Sequence, residues 1–575
     1  MASCKACVLL FTLLGTLCLV TSDPQGETLR PSVAAGNSAP NPRVQSKHGW
    51  LEGLRFTVKG TTRTINAFRG VPFAKPPVGS RRFARPEAPE PWKGVRNATS
   101  NPPMCLQTRR TEKIFKEIFE SRIPAAPVSE DCLYLNVYTP SDANRTSRLP
   151  VMVWIHGGGF TMGSASTFDG SILAAYEDVV VVSIQYRLGI LGSLSTGDQQ
   201  APGNWGFLDQ VRALEWVNKS IEDFGGDPTS VTIFGESAGG MSTSAHLLSP
   251  LSKGLFHRAI SESGVLVHPG TVIDNMDHIR SIAQKIANIS GCESMNSASI
   301  VECLRKKPEA HFLDLQTREK KIFVLGVVDG YFLLKSPEKL LKAKQINPLP
   351  HLLGCNNNEF GWIIPNVMNL TYLRNGLDEK KVDMAMNAVG VLLGTKPEAF
   401  HLLKKEYLDD ARNSSERRDN FLQMVGDIMF VVPAVDRARY HRDAGLPTYL
   451  YEFRHPPSIF QGSRPSYVKA EHTDEIYFVS GSAFLNGPPA TQINLTEVEK
   501  TLSKTMMKQW ATFARTGNPN GAGLPLWPPY DVDEKYLAID LEPKVGQKLK
   551  DGRVTFWTQT LPQKIEESQK QCKGT

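Results

Sequence analysis

Residues 231–240 read VTIFGESAGG, which contains Gly235-x-Ser237-x-Gly239. A serine hydroxyl is a weak nucleophile until a positioned base takes its proton. The flanking glycines let backbone crowd round a serine held on a sharp strand-to-helix turn. The five-residue pattern alone arises by chance roughly 0.2 times in a chain of this length, at ordinary Gly and Ser usage. A tight turn carrying a surface serine is its structural alternative. Context favours chemistry: Val231–Phe234 is a strand candidate that runs straight into the motif, and Ala238–Leu248 is compatible with a helix. The N-terminus of such a helix points free N–H groups at whatever the serine attacks.

A second segment, WIHGGGF (Trp154–Phe160), lies at the end of the strand candidate Val151–Ile155. Consecutive glycines permit positive φ and a bare backbone. Acyl transfer builds negative charge on the former carbonyl oxygen, and fixed N–H donors must meet it. The amide of Ala238 and those of Gly158 and Gly159 are the expected donors. A phosphate cradle is the alternative, but no Gly-Lys-Ser/Thr follows. His156 reads as an anchor for this loop rather than as a base.

In this order of parts an acid and then a histidine should follow the serine, each on a loop after a strand. Glu359, in LLGCNNNEFGW, comes just past the strand candidate Leu349–Gly354. His401, His441, His455 and His472 come after it. His401 and His441 sit in helical, charged surroundings. His455 follows the strand candidate Thr448–Phe453 almost at once, and His472 lies in VKAEHTDEIYF. The residues leave the choice of base open between His455 and His472.

The elements that must carry these groups are short apolar runs alternating with helical patterns. Val179–Tyr186 lacks polar alternation, as expected of a strand covered on both faces. Asp209–Ile221 and Glu499–Arg515 are predicted helices; in the second, Leu502, Met506, Trp510 and Phe513 share one face, and Gly517-Asn518-Pro519 stops it. That stripe reads as core. Strands alternating with helices predict an α/β fold with a large, mostly parallel sheet flanked by helices. The 575 residues, 41% hydrophobic, suffice for one large core, and no linker or repeat divides residues 23–575.

The net charge of +7 is spread along the chain, which argues against a nucleic-acid partner. No Cys or His spacing suggests a metal, and nothing calls for a cofactor. Lys5 followed by an apolar run over residues 7–20, with small residues at Val20 and Ser22, predicts a signal peptide over residues 1–22. No later run is long enough for a membrane span. Residues 23–47, rich in Pro, Gly, Ser and Asn, are expected to form a loose arm. Cys4, Cys7 and Cys18 leave with the signal. Cys105 with Cys132 and Cys292 with Cys303 is the simplest pairing of the rest, although spacing does not settle connectivity; Cys355 and Cys572 are left over. Sequons at Asn97, Asn144, Asn218, Asn288, Asn369, Asn413 and Asn494 are glycosylation candidates, Asn218 the weakest because it falls in a helical pattern.

FGGDPTSVTIFGESAG (Phe224–Gly239) and SEDCLYLNVYTP (Ser129–Pro140) resemble the signatures of type-B carboxylesterases, a family of the α/β-hydrolase superfamily. The resemblance runs from FRGVPFAKPPVG (Phe68–Gly79) through GNWGFLDQ (Gly203–Gln210) to WATFARTGNPNG (Trp510–Gly521). NNNEFGWIIP (Asn356–Pro365) and LPQKIEE (Leu561–Glu567) place its nearest likeness among vertebrate liver and intestinal, carboxylesterase 2-like members. It implies Glu359 as the charge-relay acid, His472 as the base, Ser263 as a supporting serine, and the disulfides Cys105–Cys132 and Cys292–Cys303. The implied activity is hydrolysis of small-molecule carboxylic esters, xenobiotic or lipid-type, through an acyl-enzyme. Acyl-CoA or acylglycerol hydrolysis is the alternative, and a non-catalytic binding or adhesion relative is the rival from another class.

Two departures bear on this. Many members end in an HxEL-type retrieval signal, whereas QCKGT stands here, so secretion is expected over retention in the endoplasmic reticulum. Cys355 stands where an aliphatic strand residue is expected and reads as a buried free thiol. A choline-ester specialist would need a tryptophan in the first disulfide loop. That loop offers only Phe115 and Phe119 as aromatics, with Arg109, Arg110, Lys113 and Lys116 beside them.

Overall fold

Branched and aromatic residues buried on both faces build the central sheet of this computed structural model, which describes residues 40–108, 127–267, 272–293, 296–318, 326–393, 397–485 and 493–573. The expected signal peptide and the Arg109–Phe119 stretch of the first disulfide loop lie outside the described residues. The sheet has 11 strands. In chain order they are β1 (Leu54–Thr57), β2 (Thr64–Pro72), β3 (Tyr134–Pro140), β4 (Leu149–Ile155), β5 (Val180–Ile184), β6 (Gly226–Glu236), β7 (Arg258–Glu262), β8 (His351–Asn356), β9 (Thr448–Phe453), β10 (Lys535–Ile539) and β11 (Lys544–Gln547). Across the sheet they run β11-β10-β9-β8-β7-β6-β4-β5-β3-β2-β1. The stretch from β10 to β5 is parallel, and antiparallel pairs close both edges.

Alternation along the strands separates two cores. Val151, Val153 and Ile155 pack on one face with Trp205, Leu214 and Val217 of helix α1 (Trp205–Ser220). Met152, Trp154 and Phe234 pack on the other with Leu502, Met506, Trp510 and Phe513 of helix α5 (Glu497–Thr516). The predicted stripe is therefore core. Helix α5 starts before its predicted first residue, Glu499, because Thr496 and Glu499 form a capping box; Gly517, at φ 80°, ends it. A third cluster, with Leu373, Leu403 and Phe421, belongs to the helices between β8 and β9.

The expected loose arm is shorter than 23–47. Arg43–Ser46 form a strand against Gly49–Glu52, and Arg43 pairs with Glu52 across it. A short hairpin returns those backbone groups to partners that a free arm would leave to water. Residues Asn41–Thr575 cluster as one compact unit. Cys105–Cys132 and Cys292–Cys303 are bridged, and Cys355 is a free thiol buried in β8. No helix of the described residues is long and apolar enough to cross a membrane.

Candidate active site

The segments singled out by their chemistry converge at the carboxyl ends of the parallel strands, where open α/β sheets place their ligands. Ser237 follows β6, the glycine loop follows β4, Glu359 follows β8, and His472 lies on the connection after β9.

Ser237 caps helix α2 (Ala238–His246) at φ 57°, ψ −119°, a backbone state that a residue with a side chain rarely adopts. Two backbone bonds hold it there: its N–H donates to Glu262 O at 2.8 Å, and its carbonyl accepts from Met241 N at 2.8 Å. Glycine makes the fit possible. A Cβ at Gly239 would collide with the Ile155 carbonyl. One at Gly157 would sit 3.1 Å from Ser237 Cβ and 2.7 Å from Glu236 O.

The glycine loop is braced from both sides. The His156 ring stacks on Tyr186 at 4.4 Å, and Tyr186 OH donates to His156 O at 2.7 Å. Burial pushes His156 down to about 4, so its ring is neutral and anchors the loop, as its sequence setting implied. Gln107, beside Cys105, bonds both backbone groups of Gly163 at the far end of the loop. The N–H groups of Gly158, Gly159 and Ala238 donate to no backbone acceptor among the described residues. They are uncommitted donors beside the serine.

Among the four histidines, His472 is the one that meets Glu359: Nδ1 lies 2.7 Å from Glu359 Oε2, and both residues are buried. His455 Nε2 bonds Glu499, the capping-box glutamate of α5, at 2.9 Å. His441 bonds the Leu349 carbonyl. His401 is exposed.

Residues not singled out by sequence complete the setting. Asn356, Asn357 and Asn358 clamp the His472 loop to the Glu359 loop. Asn358 N donates to Ala470 O at 2.9 Å, Asn358 Oδ1 accepts from Lys469 N and Asn357 Oδ1 from Ala470 N at 3.1 Å, and Asn356 Nδ2 donates to Glu471 O at 2.6 Å. Their uninterrupted run directly ahead of Glu359 was the available signal. Ser263, at φ 46°, donates to Glu475 Oε1 at 3.2 Å, and Asn356 Nδ2 also reaches Glu475.

Glu236, which immediately precedes Ser237, lies with Oε1 3.0 Å from His472 Nε2. This is a charge contact without hydrogen-bond alignment, since Glu236 Oε1 has no hydrogen-bond partner among the described residues. Burial pushes Glu236 up to about 7 despite the attraction of His472. Burial opposes a charge on His472, but Glu236 and Glu359 outweigh it and raise the imidazole above its ordinary 6.5. When Glu236 holds its proton its pull lapses, leaving the neutral ring that a base requires.

The sheet order, the crossovers and the strained serine at a strand–helix junction define an α/β-hydrolase. The profile of the Carboxylesterase family matches residues 40–557. A medium-chain fatty acyl-CoA hydrolase precursor of Anas platyrhynchos is 49% identical over 535 residues, 92% of this chain and 94% of its own. Carboxylesterase 5A of Homo sapiens is 48% identical, over 92% of this chain and 90% of its own. Pyrethroid hydrolase Ces2a of Mus musculus is 46% identical, over 96% and 97% respectively. This chain belongs to the carboxylesterase family, and it is a carboxylic ester hydrolase.

Proposed function

We propose that Ser237 is the nucleophile, His472 the general base and Glu359 the residue that orients it. The reading rests above all on the His472–Glu359 hydrogen bond, 2.7 Å long and buried at the end of the sheet that carries Ser237. His472 takes the Ser237 proton as the hydroxyl oxygen attacks the ester carbonyl. Glu359 accepts from Nδ1–H, which fixes the tautomer and stabilises the imidazolium. The amides of Gly158, Gly159 and Ala238 receive the oxyanion. His472 then protonates the departing alcohol. Water, deprotonated by His472, releases the acid from the acyl-enzyme, and Ser263 supports the site from behind through Glu475.

The substrates are small-molecule carboxylic esters of xenobiotic or lipid type. A second reading, hydrolysis of acyl thioesters such as acyl-CoA, is favoured by the 49% identity to a protein named as a fatty acyl-CoA hydrolase. A panel of esters varying in acyl and alcohol size, run beside acyl-CoA, separates the two. A fluorophosphonate probe tests the nucleophile: it should tag Ser237 and leave Ser237→Ala unlabelled. A folded native protein that takes no label would point to a binding relative instead.

The two disulfides favour an oxidising compartment, hence passage through the secretory pathway. Secretion is our reading, tested by comparing activity in medium and lysate. Asn97, Asn144, Asn288, Asn369, Asn413 and Asn494 are all exposed and are proposed glycan acceptors. In Asn97 and Asn144 the sequon threonine already donates to the asparagine Oδ1, at 2.7 and 2.6 Å. Asn218 is exposed as well, near the end of α1.

A further inference from the structure

Helices α3 (Ser414–Gly426) and α4 (Val432–Asp443) are joined by a π-turn, Asp427–Val431, inside one continuous helical run. A π-turn inserts a residue into the helical repeat and turns the following side chains to a new face. Here the turn lies against both proposed partners of the nucleophile. A Cβ on Gly426 would stand 3.5 Å from Glu359 Cβ, and the Phe430 ring lies 4.5 Å from the His472 ring at 36°. Phe430 is itself buried.

The first residue of the turn is tied to the C-terminal part of the chain. Asp427 is fully buried. Its Oδ1 accepts from Lys550 Nζ at 2.6 Å, and its Oδ2 accepts from Tyr407 OH at 3.1 Å. Trp557 Nε1 in turn donates to Tyr407 OH at 2.9 Å. Lys550 adopts φ 46°, a left-handed backbone state for a residue with a side chain, immediately before the helix Asp551–Thr555. Two ordered charges are thus held on one turn of helix, at the cost of burying them, which a merely apolar contact would avoid.

We propose that the Asp427–Lys550 pair is a positioning device for the general base, holding the π-turn in the register that lays Phe430 on the His472 ring. An aromatic face held there stabilises the imidazolium that forms during catalysis and keeps the ring from turning away from Glu359. Phe430, Asp427 and Lys550 are positioning residues, and the inference rests on His472 acting as the base. The titratable groups around His472 are Glu236, Glu359, Glu471 and Glu475. Those around the pair are Tyr407, Cys355 and Glu452. Replacing both members of the pair with neutral residues leaves the net charge unchanged, so a change at His472 must then travel through geometry.

The test is the pH dependence of fluorophosphonate labelling, measured on the full chain. In the native protein the rate should rise with pH as His472 loses its proton. Phe430→Leu should move that limb down by about 0.5–1 pH unit, the scale of a partly desolvated cation–π contact. The neutral pair Asp427→Asn/Lys550→Met should move it the same way and add nothing further in the Phe430→Leu background. Lys550→Arg should restore the native limb. If the neutral pair does not fold, Tyr407→Phe removes a single bond to Asp427 and should give a smaller shift of the same sign. A folded variant whose limb stays put, or shifts that simply add, would overturn the proposal. Absence of any labelling of the native protein would instead overturn the assignment of Ser237 and His472.

Discussion

Ser237 and His472 face the same reaction centre but are held there by different physics. The serine sits where β6 passes directly into α2, and its geometry comes from backbone: two main-chain hydrogen bonds, a left-handed φ and glycines that admit close approach. Almost everything it needs lies within a few residues of it in the chain. His472 and Glu359 are 113 residues apart and meet only because loops after neighbouring strands are clamped together by Asn356, Asn357 and Asn358. Their surroundings are side chains and charges: Glu236, Glu475, Phe430. The elbow is therefore brittle to volume and the histidine pocket to charge and register.

The largest effect should come from removing the nucleophile: Ser237→Ala should lower kcat by roughly 10⁶-fold with the fold intact, as read by ester turnover and circular dichroism. Next, Glu359→Gln leaves shape almost unchanged but takes away the acceptor that fixes the His472 tautomer. A drop in kcat of about 10⁴-fold is expected, and a drop below tenfold would mean that another acid orients the ring. Gly157→Ala probes the elbow by volume alone. Its methyl would press on Ser237 and Glu236, so kcat should fall by about 10²–10³-fold, the scale of a lost oxyanion donor, with a smaller change in KM.

Asn358→Ala probes the clamp. Two backbone contacts to residues 469–470 bracket this side chain, and its loss should lower stability by about 1–3 kcal/mol in a denaturant titration. The smallest and most specific effect is on pH. Glu236 helps to raise His472 above its ordinary 6.5, and activity requires the neutral ring, so activity grows as pH rises through that raised value. Glu236→Gln removes the attraction; the imidazole then loses its proton at lower pH, and the acid limb of kcat/KM should move down by about one unit. A limb that moves up would reverse the role given to Glu236.

The same division separates what could be read before the fold was seen from what could not. β9 was legible to the residue, and β6 was legible as Val231–Phe234, because buried strands announce themselves by composition. The core stripe of α5 was legible from its period, but its first turn was not, since Thr496 and Glu499 cap it through side-chain bonds outside the apolar pattern. The hairpin from Arg43 was missed because a Pro- and Ser-rich composition looks the same whether or not a partner strand is nearby. His455 and His472 could not be separated by position alone. The partner of His455 is Glu499, another capping role that no local pattern reveals.

The sequence by itself determined the serine turn, the glycine loop and the class of chemistry, because a backbone that must be bare, tight and strained admits few residue types and writes them side by side. Only the tertiary structure decided which histidine meets Glu359, what Glu236 does to it, and how a π-turn, reached from Lys550 at the other end of the chain, comes to lie against its ring. Those contacts join residues distant along the chain, and their energies depend on burial and mutual distance, which no local pattern encodes.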